Sequence, residues 1–162
     1  MDFKDFFNSI DRTVIMNDVK QYITDEKLLN LIEYFVYDSS RDNGLDIGCH
    51  INQILALFAC NRVDHLIKDK LRVEFFSRFV DDAIIIAPTR EELLDILNKI
   101  EKIAALSGIS INTKKTKINT LEHFNFLKKR ITLRDDGKVI MRVFKETVYK
   151  FRKKIKKVSK TC

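Results

Sequence analysis

The stretch FFSRFVDDAIIIA, Phe75 to Ala87, sets two adjacent carboxylates between two strongly apolar runs. Its flanks, Phe75–Phe76 with Phe79–Val80 and then Ala83 to Ala87, are rich in aromatic and β-branched residues and predict strands. Asp81 and Asp82 then occupy a tight hairpin connection on the rim of a buried sheet. A buried carboxylate without a partner costs several kcal/mol or has its pKa pushed up, so the pair needs a partner. The chain carries its own control. A second Asp-Asp, in RITLRDDGKVIMRV, is followed by Gly137 and has alternating polar flanks. That is ordinary turn chemistry, with Asp-Gly where φ > 0 is wanted. The first pair has neither Gly nor Asn at its turn, so turn geometry alone does not account for it.

Around this hairpin the elements are mixed. MDFKDFF opens with a short strand-like piece. Asp11 or Thr13 caps a helix running to about Tyr22, and Thr24 opens a second with Leu28, Leu29, Ile32 and Phe35 inward. After the loop YDSSRDNGLDIG, residues 52–71 predict a long, well-buried helix. PTREELLDILNKIEKIAALSG carries Pro88, a Thr89-x-x-Glu92 capping box, an inner stripe of Leu93, Leu97, Ile100 and Ala104, and Gly108 as a stop. Short strands follow near Ile109–Ile111, Lys117–Asn119, Phe124–Leu127, Ile131–Leu133 and Lys138–Val143. Four Gly and one Pro in 162 residues leave no linker or repeat. The expected class is α+β, an antiparallel sheet with helices packed on one face, followed by a basic helix.

The net charge of +7 is local. Residues 145–160, KETVYKFRKKIKKVSK, hold eight Lys or Arg and one acid, so the rest of the chain is neutral. Val148, Phe151, Ile155 and Val158 recur there at helical spacing, which predicts an amphipathic basic helix. A solvated surface helix, a membrane-surface or partner-binding helix, and a phosphate-backbone binder all share this pattern. No apolar run approaches the roughly 20 residues of a membrane span, and no signal peptide opens the chain. Cys49, Cys60 and Cys162 are odd in number and scattered, favouring a reducing, cytoplasmic setting over a disulfide framework or zinc site. His50, His65 and His123 are isolated and read as structural.

Asp2, Asp81 and Asp82 stand near strand ends. Mg²⁺ is commonly held by one or two carboxylates plus substrate phosphates. Two such ions, about 3.5–4 Å apart, clamp the attacking and leaving oxygens of a phosphoryl displacement. Carboxylates converging from different strands onto a shallow surface meet that need.

The order of motifs resembles the palm of a reverse transcriptase. DFKDFFNSID resembles the first palm motif, whose metal-binding acid maps to Asp2; Phe7 then falls at the aromatic steric gate against the ribose 2′-hydroxyl. GLDIGCHINQ resembles the second, the Gly-rich turn and helix beneath template and nucleotide, which brings in Gly48 and Gln53. RFVDDAIIIA resembles the third, with Asp81 and Asp82 as its acids. GISINTKKTKI resembles the fourth, whose lysine is thought to protonate the leaving pyrophosphate; Lys115 is the best match and Lys114 its neighbour. FNFLKKRITL resembles the fifth, a hairpin gripping the primer end through Phe126, Leu127 and Lys128. The basic helix, with Arg152, Lys153, Lys154, Lys156 and Lys157, then opens the thumb along the template–primer duplex.

The resemblance implies a palm over residues 1–143 and the start of a thumb over 144–162. It implies an RNA-directed DNA polymerase using two Mg²⁺ ions, with Mn²⁺ able to substitute, an RNA template, a DNA primer and dNTPs. An accessory protein or RNA and no membrane complete the expected partners. Ile47 stands where retroviral and group II intron enzymes carry Gln. This resembles the enzymes of bacterial diversity-generating retroelements and the orphan and abortive-infection groups, although Asp46 and Asn52 replace the usual Pro and Ser. If the enzyme copies with low fidelity, Ile47→Gln lowers its error rate. The fingers region expected before the first motif is missing, and the strand carrying Asp2 has almost nothing before it to pair. The chain therefore reads as a palm fragment or truncated product that extends a primer weakly or not at all alone. Two other readings stand beside it: a non-catalytic nucleic-acid-binding module, and untemplated synthesis.

Overall fold

A computed structural model describes residues 1–38 and 43–158, with side chains through Lys156. Part of the YDSSRDNGLDIG loop, the side chains of Lys157 and Val158, and Cys162 lie outside the described residues. The chain divides into two compact units, Met1–Lys117 and Ile118–Cys162.

The first unit carries helices α1 (Phe6–Ser9), α2 (Arg12–Val19), α3 (Glu26–Tyr37), α4 (His50–Ala59) and α5 (Asn61–His65). A π-helical turn (Leu66–Lys70), strands β1 (Phe75–Phe79) and β2 (Asp82–Ile86), and helix α6 (Arg90–Ala105) follow. A lone two-stranded hairpin is marginal in water, so the buried cluster beneath it matters. Phe3, Phe6, Ile10, Ile15, Met16, Leu45, Ala56, Val63, Ile67, Ile100 and Ile109 are nearly inaccessible there. Each large side chain so buried contributes roughly 1.5–3 kcal/mol relative to exposure.

Local signals place the helices well and their faces less well. Asp11 caps α2, accepting from the Thr13 and Val14 N–H groups at 2.8 and 3.0 Å. Asp25, not Thr24, caps α3 through the Leu28 N–H at 2.8 Å. On α3 the buried pair is Ile32 and Val36, while Leu28 and Phe35 are exposed. The same rotation occurs on α6. Thr89 caps it through the Glu92 N–H at 3.1 Å, but Ile96, Ile100 and Ala104 are buried while Leu93 and Leu97 are only half-buried. Several apolar residues flank each stripe, and the partner helix decides which of them turns inward. The long helix expected over 52–71 is interrupted at Cys60, where one helix ends and the next begins. Burial pushes the Cys60 thiol up to about 12.

Two small antiparallel sheets replace the single expected sheet: β1–β2 here and a three-stranded sheet in the second unit. Residues 1–3 join the first only through the isolated pairs Asp2↔Asp82 and Phe3↔Ile111. The 109–111 segment cannot lengthen into a strand because the chain turns at once, the Thr116 N–H donating to Asn112 O at 2.8 Å. Lys117–Asn119 forms no strand. Gly108 has φ +75°, and a Cβ there would lie 2.5 Å from Ser9 O, so only glycine fits.

The second unit contains β3 (His123–Phe126), β4 (Lys129–Leu133), β5 (Val139–Val143) and α7 (Lys145–Val158), with strand order β3-β4-β5. Its β4–β5 turn is the Asp-Gly turn expected, with Gly137 at φ +77° and Asp136 accepting from the Lys138 N–H at 3.2 Å. Register puts Phe124, Ile131 and Met141 in one cross-strand row and Asn125, Arg130 and Arg142 in the next, so the two rows face opposite sides. No described helix is long and apolar enough to cross a membrane.

Candidate active site

Asp2 is held more firmly than its place in the sequence suggests. On one side the Ala83 N–H donates to Met1 O at 2.9 Å. On the other, the Asn112 N–H donates to Asp2 O at 2.8 Å and the Lys4 N–H to Ser110 O at 2.9 Å. The Asp2 N–H donates to Thr116 Oγ1 at 3.2 Å. The short N-terminal piece is thus wedged between β2 and residues 110–112, correcting the expectation that it has little to pair with. This places Asp2 directly opposite Asp82. The Asp2 side chain is buried, and among the described residues its Oδ1 accepts no hydrogen bond. Lys115 Nζ approaches it at 3.4 Å from a mostly exposed side chain, a contact weakened by solvent screening. Asp2 pairs with Lys115 rather than with its neighbour Lys114.

The acidic turn is strained. β1 and β2 are joined by Val80 and Asp81 alone, with Phe79 paired to Asp82. A two-residue hairpin turn requires left-handed backbone at one or both central positions, normally supplied by Gly or Asn. Here Val80 takes φ +56°, which for a β-branched residue costs on the order of 1–3 kcal/mol. Arg78 spans the turn. Its Nη1 donates to Val80 O at 2.9 Å and its Nε to Asp64 Oδ1 at 2.9 Å, while Nη2 donates to Asp64 Oδ2.

Burial holds the Asp82 carboxyl above the usual carboxylate range, and the charges of Asp81 and Asp2 push it further. The Met1 ammonium and Lys115 oppose this. Asp82, half-buried and set against the charges of Asp81 and Asp2, together with a buried Asp2 oxygen met only by Lys115 among the described residues, has the donor chemistry of a hard divalent-cation site. They do not form a finished cage. Among the described residues, no group of three or more His, Cys, Asp or Glu is placed to hold a metal ion. Asp2 and Asp82 face each other, and Asp81 contributes as a charge from the turn. Their donor chemistry suits a divalent cation, although their placement does not close around one.

Phe7 is half-buried at the start of α1, its ring edge-on to Phe6 at 5.6 Å. Its carbonyl accepts from the Leu45 N–H at 2.7 Å, and Arg12 Nε donates to Gly44 O at 2.5 Å. A Cβ on Gly44, at φ +79°, would lie 2.5 Å from the Asn8 backbone, so glycine permits the loop to press against α1. Gly48 is exposed at φ +107° with nothing near its missing Cβ, so its left-handed backbone rather than crowding calls for glycine. Gln53 is exposed on α4. Arg12, Arg78 and Asp64 were not singled out from the sequence. Arg78 did carry a signal, a cation inside an apolar strand; Asp64, on a short helix, carried none.

In the second unit, Leu127 and Lys128 form the β3–β4 turn, both left-handed at φ +47° and +60°. Phe126 is half-buried beside them. Arg152, Lys153, Lys154 and Lys156 are exposed on α7, which also contains the backbone of Lys157. A family model described as reverse transcriptase (RNA-dependent DNA polymerase) matches residues 1–156. No curated protein matches the chain.

Proposed function

The chain belongs to the reverse transcriptase (RNA-dependent DNA polymerase) family, and we propose that Asp2, Asp81 and Asp82 form the metal centre of a palm that adds dNTPs to a primer 3′ end on an RNA template. The observation that carries this reading is the Asp2↔Asp82 pairing, which sets a buried carboxylate opposite an acid whose ionisation is opposed by burial and by the charges of Asp81 and Asp2. Two Mg²⁺ ions, or Mn²⁺ in their place, would supply charge stabilisation to the attacking and leaving oxygens. Asp2 and Asp81 would hold them and Asp82 would support the pair. Lys115, which lies 3.4 Å from Asp2, donates its Nζ proton to the departing pyrophosphate. Phe7, backed by the Leu45 and Gly44 contacts, excludes a ribose 2′-hydroxyl. Gly48 and Gln53 lie beneath template and nucleotide. Phe126, Leu127 and Lys128 grip the primer, and Arg152, Lys153, Lys154, Lys156 and Lys157 follow duplex phosphates.

Functionally the chain then divides into a palm, 1–143, and the start of a thumb, 144–162, working in the cytoplasm with any accessory protein or RNA. The chain by itself is expected to extend a primer weakly or not at all. The aliphatic residue at Ile47 motivates a proposed kinship with the diversity-generating and abortive-infection branches; an unchanged mutation spectrum in Ile47→Gln removes that assignment. Calorimetric titration of the full chain with Mn²⁺ tests the centre. Saturable binding lost in Asp81→Asn is expected, and binding indifferent to Asp81→Asn overturns the reading.

One observation favours a second reading, a nucleic-acid-binding module. Residues 118–162 hold 14 Lys or Arg against 4 acids, whereas residues 1–117 hold 16 against 19. Such a module binds nucleic acid equally well with the three acids removed.

A further inference from the structure

We propose that Arg78 and Asp64 are positioning residues that set the divalent-cation affinity of the acidic turn through the Val80 carbonyl. This rests on the metal-centre reading above. Val80 holds a left-handed backbone that its side chain disfavours, so a contact outside the turn must stabilise it. The only side-chain donor to the Val80 carbonyl among the described residues is Arg78 Nη1, at 2.9 Å. The rest of that guanidinium is locked by Asp64, Nε to Oδ1 at 2.9 Å and Nη2 to Oδ2. The Arg78 side chain is only 11% exposed, so the fork is weakly screened and confined to one geometry.

Asp64 belongs to α5, whose backbone is continuous with the π-helical turn and which packs on α6. A rigid helix thereby reaches the turn through one planar group. Asp81 follows Val80 directly, and Asp82 follows Asp81. Rotation about the Val80 backbone re-aims the first acid relative to the second. A lysine cannot substitute, because one ammonium cannot pair both carboxylate oxygens and also reach the carbonyl along a fixed plane.

The same helix supplies the control. Arg62 of α5 makes an equivalent two-pronged pair with Asp18 of α2, its Nε donating to Oδ2 at 3.0 Å, and makes no bond to the acidic turn. Removing that pair costs stability without touching the acids.

The experiment measures Mn²⁺ affinity of the full chain by calorimetry, with the thermal midpoint recorded for every variant. Arg78→Lys keeps the charge beside Asp64 but loses the Val80 bond; it is expected to bind Mn²⁺ about tenfold more weakly, the size typical of groups that orient metal ligands. Asp64→Asn should do likewise. Asp18→Asn should lower the midpoint and leave the affinity unchanged. In a Val80→Gly background, where the left-handed backbone is free of strain, Asp64→Asn should lose much less affinity. Wild-type affinity in Arg78→Lys, with Asp81→Asn still abolishing binding, overturns the proposal and leaves the metal centre standing. Equal loss in Asp18→Asn and Asp64→Asn also overturns it, since affinity then follows stability alone. Absence of Mn²⁺ binding by the wild-type chain removes the centre and the proposal together.

Discussion

At Asp82 a single carboxyl reports the electrostatics of the whole site. Its pKa is raised first by burial and then by Asp81 and Asp2. The folded state therefore binds the Asp82 proton more tightly than the unfolded chain does. The resulting stability is fully present below the unfolded pKa and is lost as pH rises through the raised folded value. Urea denaturation of the wild type should show stability falling as pH rises across that interval. Asp82→Asn should flatten this dependence and be more stable than wild type at neutral pH. A neutral-pH loss of stability in Asp82→Asn would show that mutual repulsion is not the governing effect. Conflict of this kind between stability and charge is a mark of functional sites.

Both short hairpins are closed by residues ill suited to their turns. Leu127 and Lys128 occupy left-handed positions where Asn-Gly is the favourable pair, and each costs roughly 1–2 kcal/mol. Leu127→Asn with Lys128→Gly should stabilise the β3–β4 hairpin by about 1–2 kcal/mol, read as a higher denaturation midpoint. If Leu127 and Lys128 grip the primer, the same double variant binds a primer–template duplex more weakly. A gain in both properties would separate the hairpin from the nucleic acid. Alongside them, Arg130 and Arg142 stand directly opposite each other across β4 and β5. Like charges so placed are unfavourable, and a phosphate between them would remove the conflict.

Across the molecule, charge is partitioned. Residues 118–162 carry a net +10 and residues 1–117 a net −3, so the overall +7 understates the contrast. Exposed Arg152, Lys153, Lys154 and Lys156 lie on α7. If all four contact phosphates, replacing them with Ala should reduce the slope of log affinity against log salt by roughly 3–4 for duplex nucleic acid. Fluorescence anisotropy over a salt series measures this. An unchanged slope would remove α7 from the interface, whichever reading of the acids holds.

Much of this protein was legible in its sequence because the governing forces act within a few residues. Asp11 and Thr89 cap the helices that follow them, Gly137 takes its left-handed turn, and the two Asp-Asp pairs differ in the way their neighbours imply. The order of motifs from Asp2 to the basic helix was equally readable. The tertiary structure decided the rest. Asp2 meets Asp82 and Lys115 across 80 and 113 positions, and such pairings are set by packing, which no local pattern encodes. Packing also turned the α3 and α6 stripes, divided the sheet, and left Val80 in a conformation its own side chain opposes. Strain of that kind exists only where distant groups impose it. At this site Arg78, two residues before Val80, holds the Val80 carbonyl, and Asp64 of α5, 14 positions before Arg78, fixes Arg78 in turn.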